Sequence, residues 1–142
     1  MKILALDLGD KWVGTAISDP LGITCKPYQT VELKDLTPFL QKILTQEPIT
    51  TVVIGYPKTM SGGHSEQTTK VLTLKESLEQ QFATVNGATI AWILWDERLS
   101  SKRASDIQNK SFDAESKKKN HCLAAAFILQ SYLDFLALNK EF

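Results

Sequence analysis

Met1-Lys2-Ile3-Leu4-Ala5-Leu6-Asp7-Leu8-Gly9-Asp10-Lys11-Trp12-Val13-Gly14-Thr15-Ala16-Ile17-Ser18-Asp19-Pro20-Leu21-Gly22 is the stretch that decides the fold. Ile3 to Leu6 is an unbroken apolar run that reads as a buried strand. Gly9-Asp10-Lys11 turns the chain, and Trp12 to Ser18 reads as a second strand, so the two form a hairpin. Asp19-Pro20-Leu21-Gly22 is a strong turn: Pro20 cannot donate to a ladder and Gly22 tolerates positive φ. Tyr28 to Leu33 is the expected third strand, pairing with the second. A carboxylate, Asp7, closes the first buried strand, which is costly unless it is hydrogen-bonded, solvated or bound to a metal.

Downstream the period changes. Leu36, Phe39, Leu40, Ile43 and Leu44 recur at helical spacing and predict a helix over 35–46, with Pro38 in its first turn. Thr51-Val52-Val53-Ile54 is β-branched and apolar, as a central parallel strand requires, and it stops at Gly55-Tyr56-Pro57. A helix over 66–82 follows, with Val71, Leu74, Leu78 and Phe82 inward. Asn86-Gly87 turns into the run Ile90 to Trp95, which ends at Asp96-Glu97. A short helix over 101–108, a weakly ordered polar segment over 109–120 and a last helix from Leu123 to about Leu136 complete the pattern. Strands separated by helices are joined by crossovers, hence parallel, with helices on the sheet faces. The expected fold is α/β and ribonuclease-H-like, with a mixed five-stranded sheet flanked by helices, in one domain over 1–142. Ligand sites in such sheets lie at the carboxyl ends of the strands. Asp7, Gly55 and Asp96-Glu97 fall on that rim.

The chain has 142 residues, with 16 basic and 16 acidic side chains. No overall positive field draws nucleic acid to it, so such binding needs a local patch. Arg98 to Lys119 supplies one, with seven bases against three acids. It includes Arg98, Lys102, Arg103, Lys117, Lys118 and Lys119, and Lys11 and Lys58 extend it. Ser100 can bond phosphate. The patch leaves directly from the rim, although a solvated charged face is an equally plain reading. Cys25 and Cys122 resemble neither a metal site nor a disulfide scaffold, so a reducing, cytoplasmic compartment is expected. No run of 18 apolar residues is present, and no membrane span is expected.

Two carboxylate-bearing strand ends on one rim can hold a divalent cation. Alternatives remain for each: Asp7 can cap a local turn, and Arg98 can pair with Glu97 as a structural ion pair. A phosphate-binding P-loop fits poorly, because Asp7 to Gly14 lacks the GxxxxGK[ST] pattern and precedes a strand. A sugar-kinase-like cradle would need a second lobe, for which the chain is too short. His64 has no partner at metal-ligand spacing. Cys122 reads as a packed thiol. Trp12, Trp92 and Trp95 read as core or face residues, with Trp95 left open as a base platform.

Residues 1–22 resemble the opening of the YqgF family, the Holliday junction resolvase-like proteins also described as pre-16S ribosomal RNA nucleases. Val52 to Gly62, Trp95-Asp96-Glu97-Arg98-Leu99-Ser100-Ser101 and Leu123 to Asp134 resemble three further motifs, in family order. The resemblance implies a nuclease that matures the 5′ end of the 16S rRNA precursor with Mg²⁺, or Mn²⁺, on Asp7 and Glu97. Its partner would be structured RNA, with a DNA junction as the alternative; oligomeric state stays open. The family commonly carries a third carboxylate just before the Ala-Ala stretch of the last helix. Here that place holds His121, which makes it a catalytic candidate of altered chemistry. Imidazole is a poor Mg²⁺ ligand and brings no negative charge. A nucleic-acid-binding protein with a weakened catalytic site is the competing expectation.

Overall fold

A computed structural model describes residues 1–56, 66–96 and 114–139. The elements are β1 Lys2–Leu8, β2 Trp12–Ser18, β3 Cys25–Glu32, a 3₁₀ turn Leu33–Asp35, α1 Leu36–Gln46, β4 Ile49–Tyr56, α2 Glu66–Gln81, β5 Thr84–Val85, β6 Ala88–Thr89, β7 Ala91–Asp96 and α3 Ala114–Asn139. Five strands form one sheet in the order β3-β2-β1-β4-β7. β1–β2 and β2–β3 are antiparallel, whereas β1–β4 and β4–β7 are parallel. This is the mixed, ribonuclease-H-like sheet expected from the sequence.

The strand period of two sorts side chains onto opposite faces. Leu4, Leu6, Val13, Ile17, Val52, Ile54 and Trp92 build one core with Leu36, Leu40, Ile43 and Leu44 of α1 and Val71 and Leu78 of α2. The alternate residues, Ala5, Ala16 and Val53, meet Ala125, Ile128, Leu129 and Leu133 of α3. The expected inward stripe of α2 is largely as observed: Val71, Leu78 and Phe82 are buried and Leu74 partly so.

Two boundaries differ from the sequence expectation. β3 starts at Cys25 rather than Tyr28 and ends at Glu32. It is an edge strand, and its exposed Lys26 and Pro27 hide the alternation while guarding the open edge. α3 starts at Ala114 rather than Leu123, so residues 114–120 are helical and not weakly ordered. Glu115 to Lys119 carries no apolar stripe, but Glu and Lys are good helix formers. The expected helix over 101–108 lies outside the described residues. The Asn86-Gly87 turn closes a two-residue hairpin between β5 and β6, with φ of 54° and 81° at the two positions. That is the pairing of positive φ angles such tight hairpins need.

Asn120–Asn139 is long and apolar enough to cross a membrane, with mean hydropathy 1.5. Ala125, Ile128, Leu129 and Leu133 of this segment pack on the sheet, whereas Phe135 and Leu138 are exposed.

Candidate active site at the sheet rim

β1, β4 and β7 run parallel, so their carboxyl ends share one rim. Leu6, Ile54 and Leu94 form one row across the three strands. Asp7, Gly55 and Trp95 are therefore the next row, and Asp96 lies one step beyond. The expected rim is present for Asp7, Gly55 and Asp96. Glu97, Lys58, Arg98, Ser100, Lys102 and Arg103 lie outside the described residues.

Asp7 points to the α3 face and is 9% exposed. Opposite it on β2 sits Gly14. A Cβ on Gly14 would lie 1.9 Å from the His121 carbonyl oxygen and 2.7 Å from the Cys122 nitrogen. Helix backbone thus rests directly on strand backbone, a contact that only glycine permits. Cys122 is held beside it, with its Sγ 2.7 Å from the Thr30 hydroxyl of β3. This is the packed thiol expected from the sequence.

The close approach delivers His121 to Asp7. His121 Nδ1 lies 3.5 Å from Asp7 Oδ2. The Nδ1 atom is buried and has no hydrogen-bond partner among the described residues. At 3.5 Å the pair is beyond the usual hydrogen-bond distance. Two donors of one divalent ion can have this separation, since each sits about 2.1 Å from the ion. A buried nitrogen without a partner among the described residues, beside a carboxylate, is thus a donor pair that a cation can bridge. The donor set of one oxygen and one nitrogen suits Mn²⁺ better than Mg²⁺. No group of three or more His, Cys, Asp or Glu gathers among the described residues.

Gly9 serves this geometry by lacking a side chain. Its N–H donates to the Trp12 carbonyl at 3.0 Å. A Cβ there would lie 2.8 Å from that carbonyl and 3.3 Å from His121 Cε1. Lys11 stands in the same turn, its Nζ 5.5 Å from the centroid of the Trp12 ring. Asp10 pairs with Lys70 of α2 at 3.7 Å. Lys117, Lys118 and Lys119 belong to the turns of α3 that precede His121.

Asp19 lies at the opposite rim. Its Oδ1 accepts from the Ile23 and Thr24 N–H groups at 2.8 and 3.1 Å. These bonds, Thr24's foremost, hold its carboxyl below the usual range. It is a turn residue. Trp92 donates to the Phe82 carbonyl at 3.2 Å and belongs to the core. Trp95 donates to Ser131 Oγ at 3.1 Å and stacks edge-on against Tyr132, so most of its surface is spoken for. Trp12, expected as core or face, is half-buried and lines a groove. The seat for α3 on Gly14 escaped the sequence reading; the small-residue run Gly14-Thr15-Ala16 inside an apolar strand is its signal.

A family model described as RuvX: Holliday junction resolvase matches residues 1–135. A "Putative pre-16S rRNA nuclease" of Caldicellulosiruptor bescii is 41% identical over 138 residues, covering 95% of this chain and 97% of that one. A protein of the same description from Shouchella clausii is 36% identical over 141 residues, covering 94% and 95%. Among solved structures, T. thermophilus RuvC in complex with Holliday junction substrate superposes with a TM-score of 0.63 at 9% identity, over 97% of this chain and 96% of that one. Fowlpox virus resolvase superposes at 0.55 with 17% identity, over 96% and 99%. At these identities the two superpositions establish the fold alone.

Proposed function

The chain belongs to the YqgF/RuvX family of resolvase-fold nucleases, and on that footing we propose that it is a cytoplasmic, metal-dependent nuclease that hydrolyses phosphodiester bonds at the 5′ end of pre-16S ribosomal RNA. The observation that carries the reading is the Asp7–His121 pair, 3.5 Å apart on the rim where the parallel strands end. The substrate follows from what the similar proteins are described as.

Asp7 and Glu97 would hold the metal, with His121 beside them. A divalent ion bound there supplies a Lewis acid for a phosphate oxygen and a more acidic water. Asp7 is paired with Gly14 of β2, and its neighbour Leu6 with Ile54 of β4, so its backbone is held in the sheet and little reorganisation is needed to present the carboxylate. His121 Nδ1 offers a nitrogen ligand or a place to hold the proton that leaves the attacking water. Lys11 in the β1–β2 turn, and Lys117, Lys118 and Lys119 on the turns of α3 before His121, would neutralise phosphates flanking the scissile one.

The test is cleavage of a 5′-extended 16S precursor and of a four-way DNA junction, each with Mg²⁺ and with Mn²⁺. The RNA should be cut, and Asp7→Asn and Glu97→Gln should each abolish cutting. Cutting of the junction alone would favour the DNA reading, for which the family description speaks. Binding of either without cutting would favour a weakened site, for which His121 in an acidic ligand's place speaks.

A further inference from the structure

β3 changes faces partway along its length. Early in the strand, Cys25 pairs with Ser18, Lys26 with Ile17 and Pro27 with Ala16. Later, Thr30 pairs with Gly14, Val31 with Val13 and Glu32 with Trp12. The register shifts by one residue between Gly14 and Ala16, so Thr15 alone stands opposite both Tyr28 and Gln29. This is a β-bulge. A one-residue shift turns every side chain beyond it to the other face of the sheet. Cys25, before the bulge, accordingly packs with the α3 core, and Val31, after it, with the α1 core. In an unshifted strand Gln29 would stand opposite Gly14, and Thr30 would point towards α1.

The hydroxyl of Thr15 staples the bulge. It accepts from the Gln29 N–H at 3.0 Å and donates to the Gln29 carbonyl. Thr15 is fully buried, so a valine there would fill nearly the same space without either bond. The shifted register completes a row across three strands: Asp7 pairs with Gly14, and Gly14 with Thr30. α3 lies over that row. His121 reaches Asp7, the His121 and Cys122 backbone rests on Gly14, and the Cys122 Sγ is 2.7 Å from the Thr30 hydroxyl. Gly14 lets the helix come close, but with no side chain it does not choose how the helix is rotated. The contact at Cys122 does. Successive residues of a helix are about 100° apart, so Cys122 cannot turn without turning His121.

We propose that Thr15 and Thr30 are positioning residues for the Asp7–His121 pair. The stapled bulge turns Thr30 to the α3 face, and Thr30, through Cys122, fixes the rotation of α3 that sets His121 beside Asp7. This deepens the nuclease reading and rests on it for what the pair does.

The test begins without metal. In the full chain the Cε1 proton of His121 should show a nuclear Overhauser effect to the Gly9 α protons, because His121 Cε1 lies 3.3 Å from where a Gly9 Cβ would be. Thr15→Val and Thr30→Val should each weaken that effect severalfold. Thr15→Ser and Thr30→Ser keep the hydroxyl and should retain it. Mn²⁺ affinity, read by electron paramagnetic resonance, should fall about tenfold or more in the valine variants and return in the serine variants. A lowered unfolding midpoint with both readouts at their wild-type values would mean a role in stability alone and would overturn the assignment. Equal losses in the valine and serine variants would overturn it as well. Should Thr15→Val fail to fold, Thr30→Val on the edge strand carries the same test. A wild-type chain that shows the Overhauser effect, loses it in Thr30→Val and binds no Mn²⁺ would keep the clamp and sink the metal site of the nuclease.

Discussion

The two faces of the sheet are packed with side chains of different size. On one, Leu4, Leu6, Ile17 and Ile54 meet Leu36, Leu40 and Ile43. On the other, Ala5, Gly14, Ala16 and Val53 meet Ala125, Ile128 and Leu129. Large side chains on both partners bury much apolar area, the main source of stability. They also hold the helices away from the strands. Small side chains bury less, but they let the backbone of α3 touch β2. A residue on that helix is then placed by backbone contact rather than by a flexible stem, and His121 is the residue so placed. One face carries most of the large buried side chains, and the other sets His121 beside Asp7.

The largest expected effect is on the stabilising face. Leu40→Ala, at a fully buried position, should cost about 2–5 kcal/mol in urea unfolding. Its folded fraction should still bind Mn²⁺ as wild type does. Gly14→Ala should cost less, about 1–3 kcal/mol, yet weaken Mn²⁺ binding measured by electron paramagnetic resonance, because α3 must lift from β2 to make room. The reverse pattern, with metal binding lost in Leu40→Ala and kept in Gly14→Ala, would break the division between the faces.

His121→Asp should destabilise the metal-free chain, because it sets a second carboxylate beside the buried Asp7, and added divalent ion should offset the loss. It should raise Mg²⁺ affinity and Mg²⁺-dependent cleavage by restoring an oxygen ligand, with Asp7→Asn in both backgrounds as the control for contaminating nuclease. No change in Mg²⁺ affinity by calorimetry would remove His121 from the site. Replacing Lys117, Lys118 and Lys119 by Ala should leave stability nearly untouched and reduce the log–log salt slope of RNA binding by up to about three. An unchanged slope would place the RNA elsewhere.

The smallest effect tests the seam between β3 and α3. The Cys25 thiol bonds the Ala126 carbonyl at 3.2 Å. Burial first, then the charges of Asp134 and Asp19, push its pKa from 9.0 up to about 11. A raised pKa favours the fold below the unfolded value, and the gain is lost as pH climbs through the folded one. The seam should therefore weaken above pH 9 and lose this contribution past about 11. Iodoacetamide labelling of native Cys25 should be slow at pH 8 and speed up over that window. Fast labelling at pH 8 would show the seam to be open.

Much of this architecture was legible. Ile3 to Leu6, Thr51 to Ile54 and Ile90 to Trp95 are apolar enough to be buried on both sides, and the turns between them carry Gly, Pro or Asn-Gly. Asp7 stood out because a carboxylate at the end of such a strand needs a partner. What was hidden has physical reasons. The first turns of α3 are polar because they have little core to cover, so periodicity starts late. β3 is an edge, and edge protection erases its alternation. The role of Gly14 depends on what packs over it, and a single strand read alone does not contain that partner.

Asp7 and His121 stand far apart in the chain but side by side in the fold. Long-range contacts close late, because the loop between them must be ordered first. A nascent or misfolded chain can therefore have its β1–β2 hairpin in place and still lack the histidine. Docking of the last helix on Gly14 is what brings His121 to Asp7, so the proposed site is complete only once that helix is seated.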